Sequence, residues 1–134
     1  MIQTVAVEGY RTLRDLVVDL GQLTVVTGAN GSGKSNFFRA LRLLAACGQG
    51  RVVGALAAEG GLPSTLWAGP QHGTRPGGIA QGTRRTGPVA LRLGFSGPDL
   101  GYAIDLGLPQ TSQDSPFALD PEIKVETVWS GPVP

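Results

Sequence analysis

Eight consecutive residues, Gly28-Ala29-Asn30-Gly31-Ser32-Gly33-Lys34-Ser35, carry the groups needed to hold a phosphate chain. Three glycines free the backbone so that successive N–H groups turn toward one point and form a concave seat for an anion. In such a seat Lys34 reaches the β- and γ-phosphates, and the Ser35 hydroxyl ligates Mg²⁺. The spacing is G-x-x-x-x-G-K-[ST], that of a phosphate-binding loop, also called a Walker A loop. The chain is rich in glycine, 21 of 134 residues, yet its own residue frequencies give only roughly half a percent for an accidental match. The bland alternative is a glycine turn with an exposed lysine. The flanks speak against it.

Such a loop must be fed by a strand and must open a helix. Residues 23–26, Leu-Thr-Val-Val, read as a short buried strand. Residues 36–47 read as a helix, with Phe37, Phe38, Leu41, Leu44 and Ala45 expected on the packed face and Arg39 and Arg42 turned outward. Gly48 and Gly50 stop it. Ahead of the loop, residues 2–7 and 13–20 suggest two further strands. Beyond it, residues 51–59 suit a second helix, with Val52, Val53, Leu56 and Ala57 on one face, and residues 62–67 a helical turn or loop. Residues 69–88 are rich in glycine, proline and arginine without apolar periodicity, so a mobile surface loop is expected there. Strands follow at 89–95, 102–106 and 123–129, and the polarity alternation in the first and last predicts a half-buried antiparallel sheet.

Composition adds limits. A chain of 134 residues with 41% hydrophobic and 16% charged residues is one ordinary globular domain at most. Its net charge of +1 holds no basic block announcing nucleic acid, and Arg84-Arg85 is read as part of a solvated loop. The lone cysteine, Cys47, has no disulfide or metal partner at a fitting spacing and is expected to be buried. His72 stands alone in a loop and is assigned no role. No signal peptide or long apolar run is visible, and a cytoplasmic location is the expectation.

Turnover of a nucleotide asks for more than the loop. It calls for an apolar strand ending in an acid that holds Mg²⁺ and orients water, and no such segment follows Lys34. Asp105 comes after only two apolar residues, Asp99 follows Gly97-Pro98, and the run before Asp19 is short. An Asn-Lys-x-Asp segment for reading guanine is also missing.

The segment GYRTLRDLVVDLGQLTVVTGANGSGKSNFFRALRLLA resembles the start of the ABC-type ATPase heads of the SMC/RecF group. EGGLPSTLWAGP, LGFSGPDLGYAIDLGLP and FALDPEIKVETVW resemble more closely a bacterial set of AAA-type ATPases within that group. The resemblance implies an α/β fold, the amino-terminal lobe of a P-loop NTPase. In it a mixed sheet around the phosphate loop and its helix adjoins an antiparallel β subdomain. On that view residues 1–134 form the lobe, with a P-loop core at 1–68, the mobile loop at 69–88 and antiparallel strands at 89–130.

A carboxy-terminal lobe carrying the hydrolytic residues and the signature segment is expected elsewhere. The resemblance implies ATP and Mg²⁺ as cofactors. The nucleotide site it implies comprises Gly28, Ala29, Asn30, Gly31, Ser32, Gly33, Lys34, Ser35 and Asn36, with Lys34 as the catalytic cation and Ser35 on the metal. It also implies that Arg11 approaches the nucleotide, although an arginine after a strand is ordinarily a surface residue. Tyr10 is expected to pack under the sheet and not to stack on adenine. Gln110 and Gln113 are available for a water- or metal-contacting role that no motif assigns.

Two functions stay open. One is part of a Mg-ATP-dependent ATPase that works as a homodimer through the nucleotide, with DNA as a partner by analogy only and no membrane. The other is a nucleotide-binding module that regulates a partner without hydrolysis.

Overall fold

The computed structural model describes residues 1–69, 90–110 and 118–131. The expectations placed on His72, Arg84, Arg85, Gln113 and the 69–88 loop beyond residue 69 lie outside them. The described residues form five strands and three helices. These are β1 (Thr4–Tyr10), β2 (Leu13–Asp19), α1 (Lys34–Gly48), α2 (Val52–Ala58), α3 (Leu62–Thr65), β3 (Ala90–Ser96), β4 (Leu100–Gly107) and β5 (Glu122–Ser130).

All strand pairings are antiparallel, in the order β2-β1-β3-β4-β5. The sheet therefore draws β1 and β2 from the segment before the loop and β3–β5 from the segment after it. Alternation sets its faces, since successive strand residues point to opposite sides. Val7, Leu93 and Ile104 fall in one row across three strands, and Val5, Phe95 and Tyr102 in another. The helices cover this side with Phe37, Ala40, Leu43, Leu44 and Cys47 of α1, Val52 and Leu56 of α2, and Leu62 of α3. Each fully buried Leu contributes about 1.5–3 kcal/mol through removal of apolar surface from water.

The opposite side is polar near its centre. Arg92 on β3 pairs with Glu8 of β1 and with Asp105 of β4, both at 3.1 Å, along one cross-strand row. This ion pairing fixes register more than it stabilises, because the arginine is half exposed.

Four expectations are corrected. The mixed sheet around the loop is absent from the described residues, where the one sheet is wholly antiparallel. Residues 23–26 form no strand, and Leu23, Val25 and Val26 are 86, 74 and 49% exposed. A buried strand of that kind needs a neighbour on each side to take its N–H and C=O groups, and no described strand lies beside it. The packed stripe of α1 is also rotated. Phe37, Ala40, Leu44 and Cys47 are its buried line at helical spacing, while Phe38 is 64% exposed. Finally, β5 is not half-buried, because it is the edge strand and almost all of it is exposed on both sides.

Candidate functional site

The phosphate-type loop sits where the sequence placed it, directly before α1. Gly33 precedes the helix with φ 100°, a left-handed conformation that glycine adopts without penalty. A β-carbon there would also come within 3.1 Å of Thr12 Oγ1 and 3.3 Å of Leu13 Cδ2. At Gly28 the space is closed by the loop itself, since an added β-carbon would lie 2.6 Å from Ser32 Oγ.

Within the loop the Ser32 N–H donates to the Ala29 carbonyl at 3.2 Å, and the Phe37 N–H donates to the Gly33 carbonyl at 2.9 Å. Lys34 folds back so that its ammonium donates to the carbonyl oxygens of Gly28 and Ala29, the latter at 2.7 Å. No side chain caps the start of α1, and its first turn holds no acid. The N–H groups there are thus left to an external acceptor, and the positive end of the helix dipole faces the same way.

Ser35 is exposed on the first turn of α1. No group of three or more His, Cys, Asp or Glu side chains that could hold a metal occurs among the described residues. A Mg²⁺ ion at Ser35 would therefore take the hydroxyl together with phosphate oxygens and water. That donor set suits this cation. The Asn36 Nδ2 donates to Thr12 Oγ1 at 2.8 Å. This contact ties the β1–β2 turn to the helix.

Arg11 sits in that turn at φ 50°, a positive φ found at no other non-glycine residue described. Such a conformation costs an L-residue energy and persists where its surroundings hold it. Here they do. The Arg11 N–H donates to the Thr65 carbonyl at 2.7 Å. Its Nη2 and Nε donate to Glu59 Oε2 at 2.7 and 3.2 Å, and its guanidinium lies 5.7 Å from the centre of the Tyr10 ring. The Tyr10 hydroxyl donates to the same Glu59 oxygen at 2.6 Å.

Burial, then the hydrogen bond to Glu59, pushes the Tyr10 phenol up to about 12. Burial also acts to raise Glu59, but hydrogen bonds from Tyr10 and Arg11 and the charges of Arg11 and Arg39 outweigh it, leaving its carboxyl below the usual range. Those same hydrogen bonds, with Glu59 first, raise Arg11. Tyr10 is wholly buried, so base stacking by its ring is ruled out, as the sequence reading expected. Glu59 was not foreseen. It lies 48 positions from Arg11, and no local pattern links the two.

Two of the three acids considered for turnover are engaged elsewhere. Asp105 is paired with Arg92 on the polar side of the sheet. Asp19 ends β2 and accepts from Thr4 Oγ1 at 3.1 Å. Asp99 lies in the β3–β4 turn. Cys47 is buried, as expected, and burial pushes its thiol up to about 11. No described helix is long and apolar enough to cross a membrane.

A family model described as "AAA domain, putative AbiEii toxin, Type IV TA system" matches residues 23–129. The match begins at the exposed Leu23 and takes in the whole phosphate-type loop, leaving β1, β2 and Arg11 outside it. No curated protein and no solved structure matches the chain.

Proposed function

This chain belongs to the AAA-domain family of that description, and on that premise we propose that residues 28–36 bind ATP together with Mg²⁺. The observation that carries the reading is the Lys34 ammonium held over the Gly28 and Ala29 carbonyls at an uncapped helix start. In this reading an incoming phosphate takes over the ammonium from those carbonyls and accepts from the N–H groups of the loop. Ser35 supplies one oxygen to the metal, and Asn36 braces the helix against the β1–β2 turn. The bound Mg²⁺ neutralises charge on the β- and γ-phosphates.

Arg11 approaches the nucleotide only after trading Glu59 for a phosphate, and Glu59 is therefore its resting partner. We assign hydrolysis to a second lobe beyond these residues, in keeping with the resemblance to SMC/RecF-type heads. The exposed apolar run at residues 23–26 supports this, because it has the composition of a central strand without neighbours. Dimerisation through the nucleotide belongs to the same reading. The chain by itself then binds without turnover. The regulatory-module alternative shares that behaviour, favoured by the engagement of Asp105 with Arg92.

Titration of a fluorescent ATP analogue into the chain and its Lys34→Ala variant tests the proposal. Loss of a charge-assisted contact predicts at least about a tenfold weaker affinity. Equal affinity of the two proteins would overturn the site assignment. Phosphate release from the chain alone would overturn the division of labour with a second lobe.

A further inference from the structure

A second feature of the surface lies outside the phosphate-type loop. Between α1, α2 and the β1–β2 turn runs an open cleft of about 980 Å³, lined by Arg11, Arg39, Arg42, Arg51 and a single acid, Glu59. Four of the six arginines among the described residues meet there, in a chain whose net charge is only +1. None of residues 28–36 lines it.

The charges are unevenly spent. Glu59 is committed to Arg11 and Tyr10. Arg51 leans on the neutral Gln49 side chain. Arg42 has no hydrogen bond or ion pair among the described residues. Like charges gathered in this way repel, and a bound anion relieves the repulsion.

The floor narrows the class of anion. Apart from Leu43 and Gln49, the lining between the charged residues is small, Ala45, Ala46, Gly54, Ala55 and Ala58, so no bulky side chain fills the space between the arginines. A docked peptide anchors itself through large side chains in apolar pockets, and this floor has no aromatic residue and no such pocket. Arg39 and Arg42 are one helical turn apart, with β-carbons about 5–6 Å from each other. Both lie on α1 and line the cleft, so the helix sets their charges in a row. That layout suits phosphates in series, which guanidinium forks bind in a bidentate manner.

We infer that this cleft is a second anion site, separate from the nucleotide loop, that takes phosphate groups in series, from a nucleic-acid strand or from free polyphosphate.

The test uses the 134-residue chain, fluorescein-labelled oligothymidylate, inorganic tripolyphosphate and polyglutamate at low salt. Fluorescence anisotropy compares the chain with Arg42→Ala/Arg51→Ala, with the charge-matched Arg14→Ala/Lys124→Ala, and with Lys34→Ala. The cleft double variant is expected to bind the phosphate probe at least about tenfold more weakly. For the oligonucleotide, its salt slope should be shallower by about 0.7 for each arginine removed. The charge-matched double should lose less than about threefold, the residue of nonspecific attraction. Lys34→Ala should bind oligothymidylate as the parent does and lose only the tripolyphosphate held by the nucleotide loop, which separates this site from the nucleotide proposal.

In the Lys34→Ala background, oligothymidylate that resists displacement by tripolyphosphate identifies a strand as the ligand, and tighter binding of tripolyphosphate identifies the free anion. Three results would overturn the assignment. They are no binding of either phosphate probe, equal losses in the two double variants, and polyglutamate binding as tightly as oligothymidylate. Circular dichroism of the cleft double, whose substituted side chains are exposed, verifies that it folds.

Discussion

The Tyr10 hydroxyl donates to Glu59 Oε2 at 2.6 Å, joining the end of β1 to the residue after α2 across 49 positions of sequence. The same carboxylate receives Arg11, so one oxygen gathers the β1–β2 turn and the α2 end into a single knot. Tyr10→Phe removes one donor and leaves the buried ring in place. A loss of about 1.5–3 kcal/mol in unfolding free energy is expected, typical for a hydrogen bond to a charged group. Urea unfolding of the two proteins checks it.

The knot also sets an alkaline limit. The Tyr10 phenol is raised in the folded state, so its contribution is fully present below its unfolded value of 10.0 and is lost as pH rises toward about 12. Cys47 and Tyr102 are likewise raised, first by burial, and weaken the fold in the alkaline range as well. Tyr10→Phe should therefore make the fall in melting temperature above pH 10 shallower without abolishing it. A thermal melt series from pH 8 to 12 reads the difference.

At the acid end the sign reverses. Glu59 is lowered in the folded state, so its contribution is present above the ordinary carboxylate value of 4.5 and disappears as pH falls through the folded value. Glu59→Gln should destabilise the chain at neutral pH and flatten the loss of stability below about pH 4.5 relative to the parent. A parallel acid limb in both proteins would contradict the pairing.

Packing on the sheet gives a steeper contrast. Leu56 is completely buried, whereas Val53 on the same helix is 50% exposed. Leu56→Ala is expected to cost about 2–5 kcal/mol through lost burial and a residual cavity. Val53→Ala should stay within about 1 kcal/mol. Denaturant midpoints with unchanged slopes are the readout.

A close approach at the sheet edge is equally specific. A β-carbon on Gly101 would lie 2.1 Å from the Trp129 indole, the residue it faces across β4 and β5. Gly101→Ala must push the ring aside, and β5, with little else covering it, should loosen. A change in tryptophan emission and faster amide exchange along residues 122–130 are the expected results.

Much of this was legible in the sequence, and the exceptions share a cause. The loop, α1 and the strands of the antiparallel sheet follow from local signals such as glycine spacing, apolar period and turn residues. Residues 23–26 have the composition of a buried strand, but composition cannot supply the neighbours that would bury it. Phe38 reads as a core residue because the two candidate stripes of α1 differ by one position, and only the sheet beneath chooses between them. The Arg11–Glu59 pair and the arginine cleft arise from residues brought together by the fold. No window of sequence contains them.

The pairing of β1 with β3 joins Thr4 to Ser96 and Glu8 to Arg92. The β1–β2 hairpin can close early, since its strands are adjacent in sequence, but its inner edge has no mate until β3 has been made. At ribosomal speeds of about 5–20 residues per second that interval is roughly 4–15 s. During it the nascent chain carries an open strand edge, which is a template for pairing with the wrong chain. Closing β1 on β3 carries the larger loop-closure cost, because its partners are far apart in sequence, and the yield of native protein should depend on how well that one edge is guarded during synthesis.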